Sequence, residues 1–546
     1  VAPAPSTNQT VLPFWIAWKR RHRQPCVMTK APKKQGLRET IYTSRYYGRQ
    51  SPVLINYLAR RNNVAAAPVD APFTYLDLGC GNGVSLNTLA AASPNSQFFG
   101  IDLMPEHIAN ANRMATEGGI KNATFIEFDF RDMATLKLPK FDYITLHGVY
   151  SWVSEKERKD IRDLIGRLLK PNGLVYVSYN ALPGSAVIQP LRDLFKQYAD
   201  AVSGSATERA AEAVKFLTNL KDNGAKYVKD NPAVSDTIDD LKERDINYVA
   251  HEYLSDNYTT FSVKTVAAEM AEESLKFCCG MPQARAWIRR SQLRKFRYLL
   301  SSRSTQLAKE TLTSVLLNES FRADIYCRTN HDSVDGTSVE TFMPAIFGST
   351  NLLPLAHPPS RNLNVEANKI LDMVSPGDVS MQAISETPDA QLPSIDRLCE
   401  FIHYMVEDKL LHPFARPAKD VPAETPDSYR IASAFNRNIL NSHLIRTGHC
   451  ALASPVIGDG VGIDLITGLF LLSLTDETGE KPVTYVDRML KASGRYWRRN
   501  GVAVKDPSER TALLTEDLDH FTEYRLPLLI RLGIVEPMGI EAVIKE

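Results

Sequence analysis

No apolar run in this 546-residue chain approaches the length of a membrane-crossing helix, so a protein held in a bilayer by helices is not expected. Charge of one sign is not in excess either. The 64 Lys and Arg stand against 63 Asp and Glu, a formal charge of +1, which leaves no general electrostatic case for nucleic acid or an anionic membrane. Any basic partner surface must be local. Cysteine is sparse and unpatterned: the seven thiols, at 26, 80, 278, 279, 327, 399 and 450, contain no C-x-x-C pair. That argues against a disulfide framework or a zinc site, and for a reducing, cytoplasmic setting. His251-Glu252 begins a zinc motif, but Ser255 stands where H-E-x-x-H needs its second histidine, and no metal is expected. Export is not expected, because the apolar cluster Val11–Trp18 is followed, not preceded, by the basic run Lys19–Arg23, the reverse of a secretory signal.

What is present is a globular composition, 44% apolar and 23% charged. The length suits roughly three to four domains. The chain is organised around Thr74–Asp102. Thr74–Leu78 is an apolar, β-branched run of strand length, Gly79, Gly81 and Gly83 follow it, and Val84–Ala92 reads as a helix. A second strand, Gln97–Ile101, ends on Asp102. This is half of a doubly wound, α/β nucleotide-binding sheet. Glycines without Cβ atoms let a ligand touch bare peptide, and free N–H groups at a helix start favour an anionic group. An acid about twenty residues on can accept both hydroxyls of a ribose. The pattern predicts a bound nucleoside.

Which nucleoside is a matter of spacing. A dinucleotide fingerprint reads G-x-G-x-x-G, whereas Asp77-Leu-Gly79-Cys80-Gly81-Asn82-Gly83 has G-x-G-x-G behind an acid. That loop, with Asp102 beyond it, resembles the first motif of class I S-adenosylmethionine (SAM) methyltransferases. The resemblance implies that Asp77 and Gly79, Cys80, Gly81, Asn82 and Gly83 hold the methionyl part of the cofactor, and that Asp102, with Leu103, holds the ribose. It also implies that Asp129 and Phe130, after a third strand at Ala123–Phe128, meet the adenine. Asp132 is the rival of Asp129, or else a helix cap. Tyr42, Tyr46 and Tyr47 precede an amphipathic helix that runs to Asn62. They could be lid residues over the cofactor, or could pack that helix onto the sheet.

Further on, Pro105 starts a helix with the apolar face Ile108, Ala111 and Ala115. A fourth strand, Phe141–Leu146, runs into His147–Val153, and ligands of an open parallel sheet lie off the carboxyl ends of its strands. Ser154 with Glu157 predicts a capping box, and Ile161, Leu164, Ile165 and Leu168 one buried helical face. The turn Lys170–Gly173 leads into a fifth strand, Leu174–Tyr179, and then Asn180-Ala-Leu-Pro-Gly184. That segment is unlike the Asn-Pro-Pro-Tyr type of amide and adenine methyltransferases, which counts against glutamine or DNA-base methylation. Residues 189–247 read as a helical, charged insertion. Leu275–Cys279 and Phe296–Leu300 are expected to be the sixth and seventh strands.

Tyr179–Gly184, Tyr248–Leu254 and Leu293–Leu300 together resemble the methyltransferases that carry a methyltransferase regulatory domain, whose best-known members are rickettsial protein lysine methyltransferases. The resemblance implies a protein-lysine acceptor and a homodimer. The expected organisation is a flexible tail (1–36), a SAM-binding core (37–188), the insertion (189–247), a completing or regulatory segment (248–303), a winged-helix-like unit (304–412), a linker (413–427) and a C-terminal helical region (428–546). In the winged-helix-like unit, Thr337–Met343 reads as a strand and Asn364–Val374 and Ser394–Leu411 as helices. Lacking a basic face in sequence, it suits protein contact better than DNA, and no nucleic-acid partner is expected.

Methyl transfer from a sulfonium needs the nucleophile in line, about 3 Å from the methyl carbon, with water excluded. A lysine, with a reference pKa near 10.4, must first lose a proton, and an aromatic tunnel favours its neutral form. Tyr150, Trp152 and Tyr179 are placed to line one. His147, at the end of the fourth strand and beside the cofactor, is the candidate proton acceptor, unless it is a hydrogen-bonded strand-end residue. Trp152 could instead be a hydrophobic staple, and Asn180 orients the acceptor or closes a turn. Two other functions stay open, a small-molecule methyltransferase and a SAM-binding regulator without catalysis.

Overall fold

The computed structural model describes residues 45–538, apart from 65, 282–285, 329–344, 351–368, 371–372, 374–377, 387–393, 424–425, 427, 476–478 and 500–501. Seven strands form one sheet: β1 (Thr74–Leu78), β2 (Gln97–Asp102), β3 (Ala123–Glu127), β4 (Phe141–Leu146), β5 (Leu169–Asn180), β6 (Lys276–Gly280) and β7 (Phe321–Cys327). Their spatial order is 3-2-1-4-5-7-6. β1 to β5 are parallel, and β7 runs antiparallel between β5 and β6. This is the doubly wound sheet of a class I methyltransferase, and the strand order reverses between β1 and β4, where a crevice must open.

Local signals set the helices around it. In α1 (Pro52–Arg61), Pro52 occupies the first turn and Ser51 caps the end; α2 (Val84–Ala92) begins directly on Gly83; α3 (Pro105–Glu117) also opens on proline. The Ser154–Glu157 capping box forms at the start of α4 (Glu155–Leu168). Strand alternation then feeds two cores, as expected of a sheet covered on both faces. Tyr75, Phe98 and Tyr143 pack with Ile55 and Leu58 of α1, while Leu76, Ile101 and Ile144 pack with Ile161, Leu164 and Ile165 of α4.

After β5 comes the helical insertion, α5 (Gln189–Asp200), α6 (Ala206–Asp222), α7 (Lys226–Asp230) and α8 (Pro232–Glu243), continued by α9 (Ile246–Tyr253). These five share a core of their own, with Leu191, Phe195, Leu217 and Ile238 at its centre. α10 (Val263–Ala271) then returns the chain to the sheet.

One expected strand is elsewhere. Leu275–Cys279 does lie in the sixth strand, but Phe296–Leu300 falls in two short helices, Arg294–Phe296 and Arg297–Ser301, with Tyr298 82% exposed. The seventh strand is β7, which therefore extends the sheet past residue 303. Its sequence, with Arg322 and Asp324, looks too polar for a central strand. Both charges are buried and answer each other at 2.8 Å, while Glu310 (2.9 Å) and Glu319 also engage the Arg322 guanidinium and the Tyr179 hydroxyl donates to Asp324. Mutual pairing removes the cost that hid the strand.

In the C-terminal part, Ile346–Gly348 pairs antiparallel with both Asp378–Ser380 and His412–Phe414, beside helices Met381–Glu386 and Ile395–Glu407. The strand expected at Thr337–Met343, and most of the helix expected at Asn364–Val374, lie outside the described residues. The stretch expected to be a linker is strapped down: Phe414 is in a strand, Ala418 N–H donates to Asp378 and Lys419 N–H to the Arg531 carbonyl. Beyond it, the apolar helix Leu465–Leu474 is buried, and the hairpin of His449–Ser454 with Asp459–Asp464 rests on α2.

Arg322→Met should leave Glu310, Glu319 and Asp324 without their shared counter-ion and destabilise the fold by roughly 3–5 kcal/mol. Urea unfolding checks this against Lys159→Ala, which removes only an exposed pair with Asp163 and should leave the midpoint unchanged.

Candidate active site

A cavity of about 690 Å³ opens at the carboxyl ends of β1, β4 and β5. Its floor is the glycine loop, Gly79 to Asn82, followed by Val84 and Ser85; its roof comes from the insertion. Gly81 has φ +53°, and a Cβ built there would meet no atom within 4 Å, so the bare peptide faces open space. Gly83, with φ +70°, has the opposite problem, because a Cβ would stand 2.5 Å from that of Ala111. One glycine leaves room for a ligand and the other lets α2 sit against α3.

Asp77 lies at this floor, 3% exposed. Its Oδ1 accepts from Gln50 Nε2 at 2.8 Å and from the Thr145 hydroxyl at 2.9 Å, and Tyr75 Oη is 3.0 Å from that hydroxyl. Burial pushes the Asp77 pKa up to about 7; those two hydrogen bonds oppose the shift, and Asp102 adds to it. A buried carboxylate facing a cavity is a place prepared for a cation. Gln50 gives no sequence signal beyond its place before α1. Tyr47 lies beside it in the wall, its ring 4.3 Å from that of His147, and its backbone N–H donates to Ser85. Tyr46 turns the other way, and its hydroxyl accepts the Gly460 N–H at 3.0 Å. Tyr42 lies outside the described residues.

Asp102, at the tip of β2, accepts the Gly81 N–H on Oδ2 and the Met104 N–H on Oδ1, each at 2.9 Å. It abuts the loop without lining the cavity, and neither do Leu103, Asp129 and Phe130. The Asp129 carboxylate grips the Arg131 side chain and accepts its backbone N–H at 3.0 Å, and Phe130 packs against the core.

His147, Trp152, Asn180 and Phe321 form the far wall. His147 Nδ1 is 2.9 Å from Tyr176 Oη, and burial lowers its pKa to about 4, so the ring is a poor acceptor for a proton from an ammonium. The hydrogen-bonded strand-end reading is the one the geometry favours. Trp152 is no staple: it packs on Tyr258 at 5.2 Å and under the Arg192 guanidinium at 5.0 Å. Two expected tunnel residues are misplaced. Tyr150 and Tyr179 are buried beneath the wall, where their hydroxyls donate to Glu269 and Asp324; strand alternation in β5 turns Tyr179 into the core, and the turn after β4 does the same for Tyr150. The residues unforeseen in sequence are Arg45, Gln50 and Phe321 and, above all, those of the roof: Asp240, Glu243, Arg244, Asp245, Tyr248 and Glu252. A charged insertion was legible; which of its charges face the cavity was not.

Residues 70–239 match the family described as a methyltransferase domain, and 245–328 the one described as a predicted methyltransferase regulatory domain. The chain carries a SAM-dependent methyltransferase domain followed by a methyltransferase regulatory domain. An uncharacterized protein of Synechocystis sp. is 27% identical over 522 residues, 91% of this chain and 98% of that one. An uncharacterized protein of Rickettsia prowazekii is 30% identical over 241 residues, 44% of this chain and 43% of that one. The structure of PKMT2 from Rickettsia typhi in complex with AdoHcy (S-adenosylhomocysteine) shares the fold, with a TM-score of 0.67 at 18% identity over 90% of this chain and all of that one.

SAM supplies an electrophilic methyl group on sulfonium. The residues present fit it: the Gly81 position is open, and a buried carboxylate stands beside it. Gly81→Val should abolish AdoHcy binding in calorimetry, while the strain of a β-branched residue at positive φ costs only about 1–2 kcal/mol of stability.

Proposed function

We propose that this methyltransferase acts on lysine side chains of a protein. The observation that carries the reading is the charge of the roof. Four carboxylates, Asp240, Glu243, Asp245 and Glu252, line the cavity opposite the glycine loop, against one guanidinium there, Arg244, which pairs with Asp240 at 2.6 Å. A surplus of negative charge at the mouth of a cleft draws in a cationic side chain and disfavours anionic acceptors. Deeper in, Trp152, Tyr248 and Phe321 supply apolar wall that desolvates the amine and favours its neutral, nucleophilic form. With His147 a weak base, the proton leaves toward the carboxylate rim and solvent. In this reading Asn180, in the same wall, orients the amine. The similarity to rickettsial PKMT2 supports a protein acceptor, and the homodimer implied by the resemblance and a cytoplasmic location belong to the same reading.

In this reading Asp77 meets the methionyl ammonium and Arg45, also in the wall, suits the carboxylate. An ammonium favours ionised Asp77, so binding releases a proton wherever the free protein holds one, which is below about pH 7. AdoHcy affinity should be flat above pH 7 and fall by up to about tenfold per unit below it. Asp77→Asn should bind more weakly and without that dependence; titration calorimetry across pH 5 to 8 reads both.

The acceptor is tested by labelling a matched lysate with tritiated methyl from SAM, followed by mass spectrometry of lysines. Label confined to small metabolites moves the reading to a small-molecule acceptor; SAM binding with no label in either fraction indicates a regulator. The double variant Glu243→Lys with Asp245→Lys should lower kcat/KM for the protein substrate at least about tenfold and leave AdoHcy affinity unchanged.

A further inference from the structure

At the tip of β2, beside the cavity, a buried side chain has a polar atom with nothing to bond. His107 stands in the first turn of α3, and its side chain is 5% exposed. Its Nδ1 lies 3.2 Å from Asp102 Oδ1. The same carboxylate already accepts backbone N–H groups from Gly81 and Met104. An acceptor of that kind requires the imidazole to donate from Nδ1, and in the neutral ring that leaves Nε2 a bare acceptor. That atom is buried and has no hydrogen-bond partner among the described residues. Buried polar atoms are nearly always paired, and an exception near a ligand site is explained when the ligand supplies the missing partner. The missing partner here must be a donor.

A second element reaches the same spot. His251, on α9 of the roof, has its pKa lowered to about 4 by burial first and by His107 next, with Asp102 opposing. His107 and Asp102 thus lie where the roof approaches the glycine loop, and the donor for Nε2 is one the described residues do not supply.

We propose that His107 is a ribose-binding residue, accepting a hydrogen bond at Nε2 from one hydroxyl of the SAM ribose while it holds the Asp102 carboxylate to accept the other. A vicinal diol brings two donors. Asp102 has acceptor capacity left, since a carboxylate offers about four lone-pair sites and three are engaged. The inference rests on the assignment of Asp102 to the ribose. It adds a discrimination that Asp102 alone does not provide, because loss of one hydroxyl strands a buried acceptor again.

Calorimetry with AdoHcy and its 2′-deoxy and 3′-deoxy forms, on the full chain and on His107→Phe, His107→Ala and His107→Gln, decides the matter. In the unaltered protein, removal of the hydroxyl that His107 accepts should weaken binding about tenfold. In His107→Phe and His107→Ala the same removal should cost nothing further, whereas His107→Gln, whose amide oxygen can accept, should keep part of the discrimination. If all four proteins discriminate alike, His107 merely packs against Asp102 and the proposal fails, with the cofactor reading intact. If the unaltered chain binds AdoHcy and both deoxy forms equally, His107 and Asp102 lose their ribose roles together.

Discussion

The hydrogen bond from the Gly81 N–H to the Asp102 carboxylate ties the turn after the first strand to the tip of the second. Everything at the active site depends on that tie. It fixes a peptide that carries no side chain of its own, while Asn82 next to it is held by the Asn110 amide, and the open side of Gly81 is left facing the cavity. The parallel sheet places both ends of the bond at its carboxyl edge, next to the strand-order reversal between β1 and β4 where the crevice opens.

Around this floor the protein spends buried charge in two different ways. Burial raises the proton affinity of Asp77, and its hydrogen-bond donors Gln50 and Thr145 are neutral and only partly offset that rise. Asp324, equally buried, is matched by Arg322 and belongs to the architecture. The contrast separates a carboxylate kept for a ligand from one that holds a strand. The C-terminal part joins in through the hairpin on α2, whose Gly460 N–H fixes Tyr46 while the adjacent Tyr47 lines the cavity. A segment of the active-site wall is thereby fastened by residues more than four hundred positions away.

The first five strands, the glycine turn and the capping box were legible because each rests on local chemistry: alternation, missing Cβ atoms, a serine three residues before a glutamate. β7 was not, since Arg322 and Asp324 make it look like surface until their pairing is seen. Tyr150 and Tyr179 were assigned to the tunnel by position along the chain, yet one residue of alternation in β5 sends Tyr179 to the opposite face of the wall, and the path of the turn after β4 buries Tyr150.

By itself the sequence determined a doubly wound sheet with a nucleoside loop, because strand length, glycine spacing and a following acid are short-range properties. Only the tertiary structure decided which acids of the insertion roof the cavity, that the surroundings of His147 make it a weak base, and that His107 reaches Asp102. Burial and proximity set proton affinity and hydrogen-bond need, and both arise from elements that meet only when the chain is folded.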